Sequence, residues 1–122
     1  MKALVWILLL GILCGCGLSN QAELPYDMTL ANEGYQAMVE QNYEKAEAFF
    51  DLALSVNPEN PYALLNLGVV YHNTGRFDQA KQMYRKVIEL KSTIKADHTT
   101  NKKFQGKTLS EIAETNLRAI EK

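Results

Sequence analysis

The sequence has little of what an enzyme active site needs. Only two cysteines and two histidines occur in 122 residues. The chain has no G-x-S-x-G, no glycine-rich phosphate loop and no H-E-x-x-H pattern. The pair Asp97 and His98 has no nucleophile at a recognisable spacing. Nothing in the sequence therefore predicts an enzyme, a metal site or a bound cofactor.

The chain also lacks an excess of either charge. Its 13 basic residues nearly balance its 14 acidic ones, which gives a formal net charge of -1. A nucleic-acid-binding domain needs surplus cations to neutralise phosphates. The composition therefore argues against nucleic acid as a partner, and the length is that of one small domain.

A hydrophobic run long enough to cross a bilayer is missing as well. The longest apolar run extends from Ala3 to Leu13, directly after Lys2. Eleven residues of helix reach about 16 Å, roughly half of the hydrocarbon core of a bilayer. A short positive end, a brief apolar core and small residues after it are typical of a secretory signal peptide.

The only cysteines, Cys14 and Cys16, come directly after this leader. A disulfide between them would close a strained ring and would cross-link nothing else. Their C-x-C spacing is not the C-x-x-C of thioredoxin-like redox sites. A zinc site would need more ligands than His72 and His98 can supply at their spacing.

The segment Leu13-Cys14-Gly15-Cys16 resembles the bacterial lipobox, where an aliphatic residue, a small pair and an invariant cysteine mark the site of cleavage and lipidation. The resemblance implies that residues 1–15 are a signal peptide and that Cys16 becomes the acylated first residue, with palmitate-type chains as the only attached group. Because Gly17 rather than Asp comes next, it also implies an outer-membrane protein facing the periplasm. Plain secretion and an uncleaved anchor are the alternatives. Residues 16–26 are predicted to be a lipidated N-terminus and tether.

Self-comparison of the sequence reveals one clear period, of 34 residues. It divides the next part of the chain into two units, 27–60 and 61–94. The matched positions are Asn32 with Asn66, Gly34 with Gly68, Tyr43 with Phe77, Ala46 with Ala80, Phe50 with Tyr84 and Ala53 with Val87. In the second half of each unit, these residues step by three and four, as on one face of a helix. Each unit is therefore predicted to be a helix hairpin.

Turn and capping residues fall where two hairpins need them. Asn60 is a good N-cap and Pro61 suits the first helical position. Gly75 suits a left-handed residue just past a helix end. Further along, Thr108 and Glu111 have the spacing of a capping box.

The second unit resembles a tetratricopeptide repeat at Leu67, Gly68, Tyr71, Gly75, Phe77, Ala80, Tyr84 and Leu90. The first unit is a second copy that departs from the pattern at Glu33 and Ala37. The resemblance implies an all-α fold, a short α-solenoid of two helix-hairpin repeats. We expect Gly68 and Ala80 to be small because helix backbones approach closely there. We also expect Phe77 to be buried, so that Phe77→Ala would cost ~3–5 kcal/mol.

The periodic pattern ends after Leu90. Residues 95–107 are predicted to be a polar, lysine-rich loop, which is solvated or touches anionic lipid or wall polymers. Residues 108–122 are predicted to be a final helix, with one apolar stripe formed by Leu109, Ile112, Ala113, Leu117 and Ile120. Solenoids need a cap on the last hairpin, and the alternative role of this helix is to dock a partner.

By resemblance, the first helix of each repeat lines a concave groove. The predicted groove residues are Met28, Ala31, Asn32, Tyr35 and Met38 from the first repeat and Tyr62, Leu65, Asn66, Val69, His72 and Asn73 from the second. Methionine and tyrosine give an adaptable surface that suits a peptide or helix. No lysine or arginine is expected in the groove.

The sequence thus predicts a lipid-anchored periplasmic adaptor that binds a protein or peptide partner in its groove. By family analogy, the partner belongs to an envelope assembly such as a pilus or secretion complex. The alternative is a structural protein that self-associates through the open end of its solenoid, without a peptide-binding groove.

Overall fold

The computed structural model describes residues 23–96 and 101–122. The predicted signal peptide, Cys16 and the pair Asp97–His98 lie outside the described residues. The helices are α1 (Tyr26–Val39), α2 (Tyr43–Val56), α3 (Pro61–Asn73), α4 (Phe77–Glu89) and α5 (Leu109–Ile120), with a short 3₁₀ helix at Lys102–Phe104. None of these helices is long and apolar enough to cross a membrane. Since the described ranges contain no strand, the prediction of an all-α solenoid with a terminal helix is confirmed.

Local capping sets the ends of the helices. The Asn60 side chain accepts a 2.9 Å hydrogen bond from the Ala63 amide, and Pro61 opens α3. Thr108 and Glu111 form a capping box at the start of α5, with hydrogen bonds of 3.2 and 2.7 Å. Gly75 has a φ of 77° just past α3, in the left-handed region that glycine adopts without a steric cost. These three sequence predictions are confirmed.

Each hairpin closes around one buried aromatic ring. A Cβ atom added at Gly34 would lie 2.7 Å from the ring of Phe50, and one at Gly68 would lie 2.6 Å from the ring of Tyr84. Both rings are fully buried. The expected reason for Gly68 was therefore incomplete, because an aromatic ring from the second helix fills the space that the missing side chain leaves. The same holds at Gly34.

Phe77 is the sequence expectation that the structure corrects. Its side chain is 49% exposed, and its ring meets His72 edge-on with centroids 5.7 Å apart. Because half of its surface remains in water, truncation removes much less buried area than a core position would. The predicted cost of ~3–5 kcal/mol is wrong for Phe77 and belongs instead to the fully buried aromatic residues.

Two polar contacts join the hairpins beside their shared core. The Asp27 carboxylate in the first turn of α1 accepts 2.9 Å hydrogen bonds from the amides of Asn57 and Asn60, which flank the turn before α3. Arg76, just before α4, forms a two-pronged ion pair with Glu47 on α2 at 2.9 and 2.7 Å. The periodic pattern does not predict either contact, because the pattern matches similar residues of the two repeats, whereas each contact joins two different residue types.

The last helix covers the second hairpin. Leu109, Ile112 and Ala113 are buried, and Leu117 and Ile120 pack against the core. This is the apolar stripe predicted from the sequence. The segment leading to α5 is held at its base, because Ile94 accepts from the Leu109 amide at 2.9 Å and the Ala96 amide donates to Lys107 at 3.0 Å.

Candidate protein-binding cleft

A cleft of about 540 Å³ opens between α1, α3 and α5. The first two helices contribute Met28, Ala31, Asn32, Tyr35, Met38, Tyr62, Leu65, Asn66 and Val69. The facing wall is made by Lys95, Ala96, Asn101, Phe104, Leu109, Ile112 and Asn116. We refer to this set of residues as the cleft.

The structure brings most of the predicted groove residues together. Every predicted position on α1 lines the cleft, as do Tyr62, Leu65, Asn66 and Val69 on α3. They meet because the repeat places the first helices side by side, so that the i, i+3 and i+4 positions of both helices point the same way. Their role in binding a partner stays a prediction.

Two predicted groove residues lie elsewhere. His72 faces Phe77 and lines a second, open cavity with Gly75, Ala119 and Ile120. The Asn73 side chain donates a 3.4 Å hydrogen bond to the hydroxyl of Tyr43. Both residues occupy the last turn of α3, which lies past the end of the cleft.

The wall formed by α5 and its preceding segment was not predicted as part of a groove. The apolar stripe of α5 was interpreted as a cap or a docking helix, although Leu109 and Ile112 both pack on the core and face the cleft. Phe104 also lines the cleft and packs against the core. The sequence signal was the single aromatic residue in the otherwise polar stretch from 95 to 107.

The cleft combines an apolar floor with a few polar groups at its sides. Four buried side chains form the floor: Ala31, Leu65, Leu109 and Ile112. Asn32 and Asn66 line it from α1 and α3, and among the described residues neither side chain is engaged in a hydrogen bond. Apolar pockets with a few placed polar groups are the usual form of peptide and ligand sites.

Lys95 supplies a charge where none was expected. It is exposed and lines the cleft, so the prediction of a groove without lysine or arginine is corrected. The pKa of the nearby Glu111 carboxyl is lowered, mainly by its hydrogen bonds with Thr108 and additionally by the charges of Lys107 and Lys95. Part of the Lys95 charge is therefore balanced by Glu111. Across residues 23–96 and 101–122, no three histidine, cysteine, aspartate or glutamate side chains are grouped as metal ligands would be.

Fold and cleft together define a helical-repeat scaffold with a concave face. A tetratricopeptide-repeat family model matches residues 37–92. A solved tetratricopeptide repeat domain protein from Salinibacter ruber superposes with a TM-score of 0.60 at 18% identity, over 80% of this chain and 97% of that one. Residues 37–92, from the end of α1 through α4, therefore resemble tetratricopeptide repeats, and repeats of this kind generally act as non-enzymatic scaffolds for protein–protein interaction.

Two curated proteins are similar over shorter segments. One is the human protein O-mannosyl-transferase TMTC2, 42% identical over 48 residues, which are 39% of this chain and 6% of that protein. The other is anaphase-promoting complex subunit 3 of Schizosaccharomyces pombe, 30% identical over 70 residues, which are 57% of this chain and 10% of that protein. The chain thus spans a tenth or less of these relatives.

Proposed function

We propose that this chain is a lipid-anchored adaptor that binds a protein partner in the cleft, within a bacterial envelope assembly such as a pilus or secretion complex. The cleft carries the proposal, because two repeats and α5 converge on one apolar floor with unused amide groups at its sides. The lipid anchor at Cys16 and the periplasmic, outer-membrane location rest on the lipobox resemblance of residues 13–16 and on Gly17.

The proposed partner is a short segment with apolar side chains. Met28, Met38, Tyr35 and Tyr62 are all partly buried in the cleft. Flexible methionines and rigid tyrosines adapt to aliphatic and aromatic groups. The amides of Asn32 and Asn66 can each donate and accept a hydrogen bond with the backbone of such a segment. The partner segment would therefore be held by packing and oriented by its main chain.

Photocrosslinking in cells tests the site. A photoreactive residue at Val69 should capture one defined protein, whereas the same residue at Gln82, exposed on the second helix of the repeat, should not. Adding Tyr62→Ala should weaken capture from Val69, because that change removes a partly buried side chain from the cleft and leaves every fully buried residue in place. Equal capture from Val69 and Gln82 would rule the cleft out as the binding site.

The lipid anchor is tested separately. The N-terminal peptide of the purified protein should begin at Cys16 and carry the mass of its acyl chains. Cys16→Ser should abolish that mass and release the protein from membranes, whereas Cys14→Ser should leave both unchanged, since Cys14 belongs to the cleaved segment. An unmodified Cys16 in membrane-bound protein would contradict the proposal.

The alternative is self-association through the end of the solenoid. The outer side of α5 argues against it, since Glu111 and Glu114 are exposed there and acidic residues are depleted at protein–protein interfaces. Sedimentation of the soluble chain at micromolar concentration distinguishes the two functions. A monomer favours the adaptor, and a tight dimer favours the structural role.

A further inference from the structure

The charges of the chain are separated along the sequence although they nearly cancel overall. Residues 23–75 hold eight acidic side chains and one basic one, Lys45, whereas residues 76–107 hold nine basic and three acidic ones. Such a separation creates one electropositive region on a protein of nearly neutral total charge. The centre of that region is the segment that connects α4 to α5.

Five lysines make up this region in the described part of the connection: Lys91, Lys95, Lys102, Lys103 and Lys107, the lysine cluster. The first four are exposed and Lys107 is half-buried. The ion pairs between described residues, Arg76–Glu47, Lys81–Asp78 and Arg85–Glu121, involve none of the five. Lys107 and Lys95 act on the Glu111 carboxyl, whose pKa their charges help to lower. The charge of the cluster is therefore largely uncompensated within the described structure.

The lysine cluster lies at the edge of the molecule where the chain enters the fold. Asp27, in the first turn of α1, bonds to Asn60 at the start of α3. The backbone of Lys95 forms an isolated β-bridge with the backbone of Thr108, at the start of α5. Met28 and Lys95 line the same cleft. The first turns of α1, α3 and α5 thus share one edge, which also carries the exposed apolar residues Leu24, Tyr26 and Ile94.

Chain length limits how far this edge can lie from an anchored Cys16. Seven peptide units separate Cys16 from Glu23. Even a fully extended chain spans at most about 3.3–3.6 Å per residue, or about 25 Å in all. The lysine cluster is therefore held close to any membrane that carries the lipid, and a tether of this length gives a high effective concentration at the surface.

We infer that the lysine cluster is a docking surface for anionic lipid headgroups, which orients the solenoid on the membrane to which Cys16 anchors it. The inference rests on the proposed lipid anchor for its biological setting. Its chemistry is independent of the anchor: clustered lysines beside exposed aromatic and aliphatic side chains attract an anionic lipid surface. Each lysine near the surface adds to the attraction, which salt screens.

Vesicle cosedimentation of the chain from Gly17 to Lys122, which carries no lipid, tests the inference. All core residues lie between Leu30 and Ile120, so this chain keeps the whole core. It should bind vesicles that mix phosphatidylglycerol with phosphatidylcholine, and not vesicles of phosphatidylcholine alone. Lys102→Glu with Lys103→Glu should reduce binding by about tenfold or more. The matched control, Lys45→Glu with Lys122→Glu, changes the net charge equally outside the cluster and should retain binding.

The outcomes separate this inference from the proposed function. Equal loss of vesicle binding in both double variants would show that net charge alone matters and would overturn the inference. Unchanged binding by the Lys102/Lys103 variant would also overturn it. Equally tight binding to soluble polyglutamate would identify an acidic polypeptide as the ligand class and would also overturn it. Circular dichroism melts confirm that each variant is folded. None of these results depends on Cys16 acylation or on capture from Val69, which are measured in other experiments.

Discussion

Aromatic residues at matching positions of the two repeats differ in their surroundings. Phe50 and Tyr84, separated by one period, are both fully buried beneath a glycine of the facing helix. Tyr43 is half-buried and accepts a hydrogen bond from Asn73, whereas Phe77 is 49% exposed. The residue type alone therefore does not determine the contribution to stability, because burial also depends on the element that packs against each repeat.

The same substitution at two phenylalanines measures this difference. Phe50→Ala should lower the free energy of unfolding by ~3–5 kcal/mol, since it empties a fully buried site. Phe77→Ala should cost about 1 kcal/mol, because only half of the ring is removed from water. Urea unfolding of both variants checks the order. Equal losses would contradict the burial that the structure assigns to Phe77.

The hydroxyl of Tyr84 provides a second test at this scale. Burial raises the pKa of Tyr84, and the nearby Asn116 side chain acts in the opposite direction. No described residue, however, completes a hydrogen bond to the hydroxyl. Tyr84→Phe should therefore be neutral or stabilising by up to about 1 kcal/mol, since an unpaired buried polar group is costly. Phe50 is a plain ring in the equivalent buried position of the first repeat. A loss of about 2 kcal/mol or more, on the scale that an unsatisfied partner costs, would mean that the hydroxyl has a partner.

At the scale of helices, the sequence predicted those features that depend on contacts between residues close together in the chain. The helix starts at Asn60 and Thr108 were predictable because each cap bonds to an amide three residues ahead. The burial of Asp27 was not predictable, because it depends on hydrogen bonds from the side-chain amides of Asn57 and Asn60, which lie 30 and 33 residues away. Lys95 likewise enters the cleft because of the path of a connection that has no periodic pattern. The groove positions on α1 and α3 were predictable because the repeat fixes their direction.

The buried Asp27 should make the docking of α1 against α3 depend on pH. Hydrogen bonds from Asn57, and then from Asn60, lower the pKa of Asp27 below its ordinary value of 3.8. A carboxyl whose pKa is lower in the folded chain stabilises the fold above the unfolded pKa, and this contribution is lost as the pH falls through the folded pKa. Asp27→Asn should therefore cost about 1 kcal/mol at neutral pH, with the difference from wild type shrinking below pH 3.8.

Urea unfolding at neutral and acidic pH measures this effect. Asp78→Asn is the matched control, because the Asp78 side chain is 98% exposed and its contact with Lys81 is long, at 3.9 Å. The control should stay within about 0.5 kcal/mol of wild type at both pH values, as exposed positions usually do. A gap between wild type and Asp27→Asn that is independent of pH would show that packing, not the charge, accounts for the loss.

At the scale of the whole molecule, α5 both covers the second hairpin and forms one wall of the cleft. Its buried residues cover α4, and its first turns face α1 and α3 across the cleft. Two repeats without it would expose the apolar side of the second hairpin, which is unfavourable for a short solenoid. Because each repeat contacts only its neighbours, loss of the cap should weaken the second repeat first.

Truncating the buried side of α5 therefore tests its role as a cap. Ile112→Ala should lower the free energy of unfolding by ~2–5 kcal/mol, a large share of the total for a domain of this size. Arg118→Ala, on the exposed side of the same helix, should change it by less than about 1 kcal/mol, since its side chain buries little. Unfolding monitored by circular dichroism gives both values. If Ile112→Ala unfolds like wild type, α5 is not bound to the repeats in solution, and the cleft that it walls would exist only when a partner holds the helix in place.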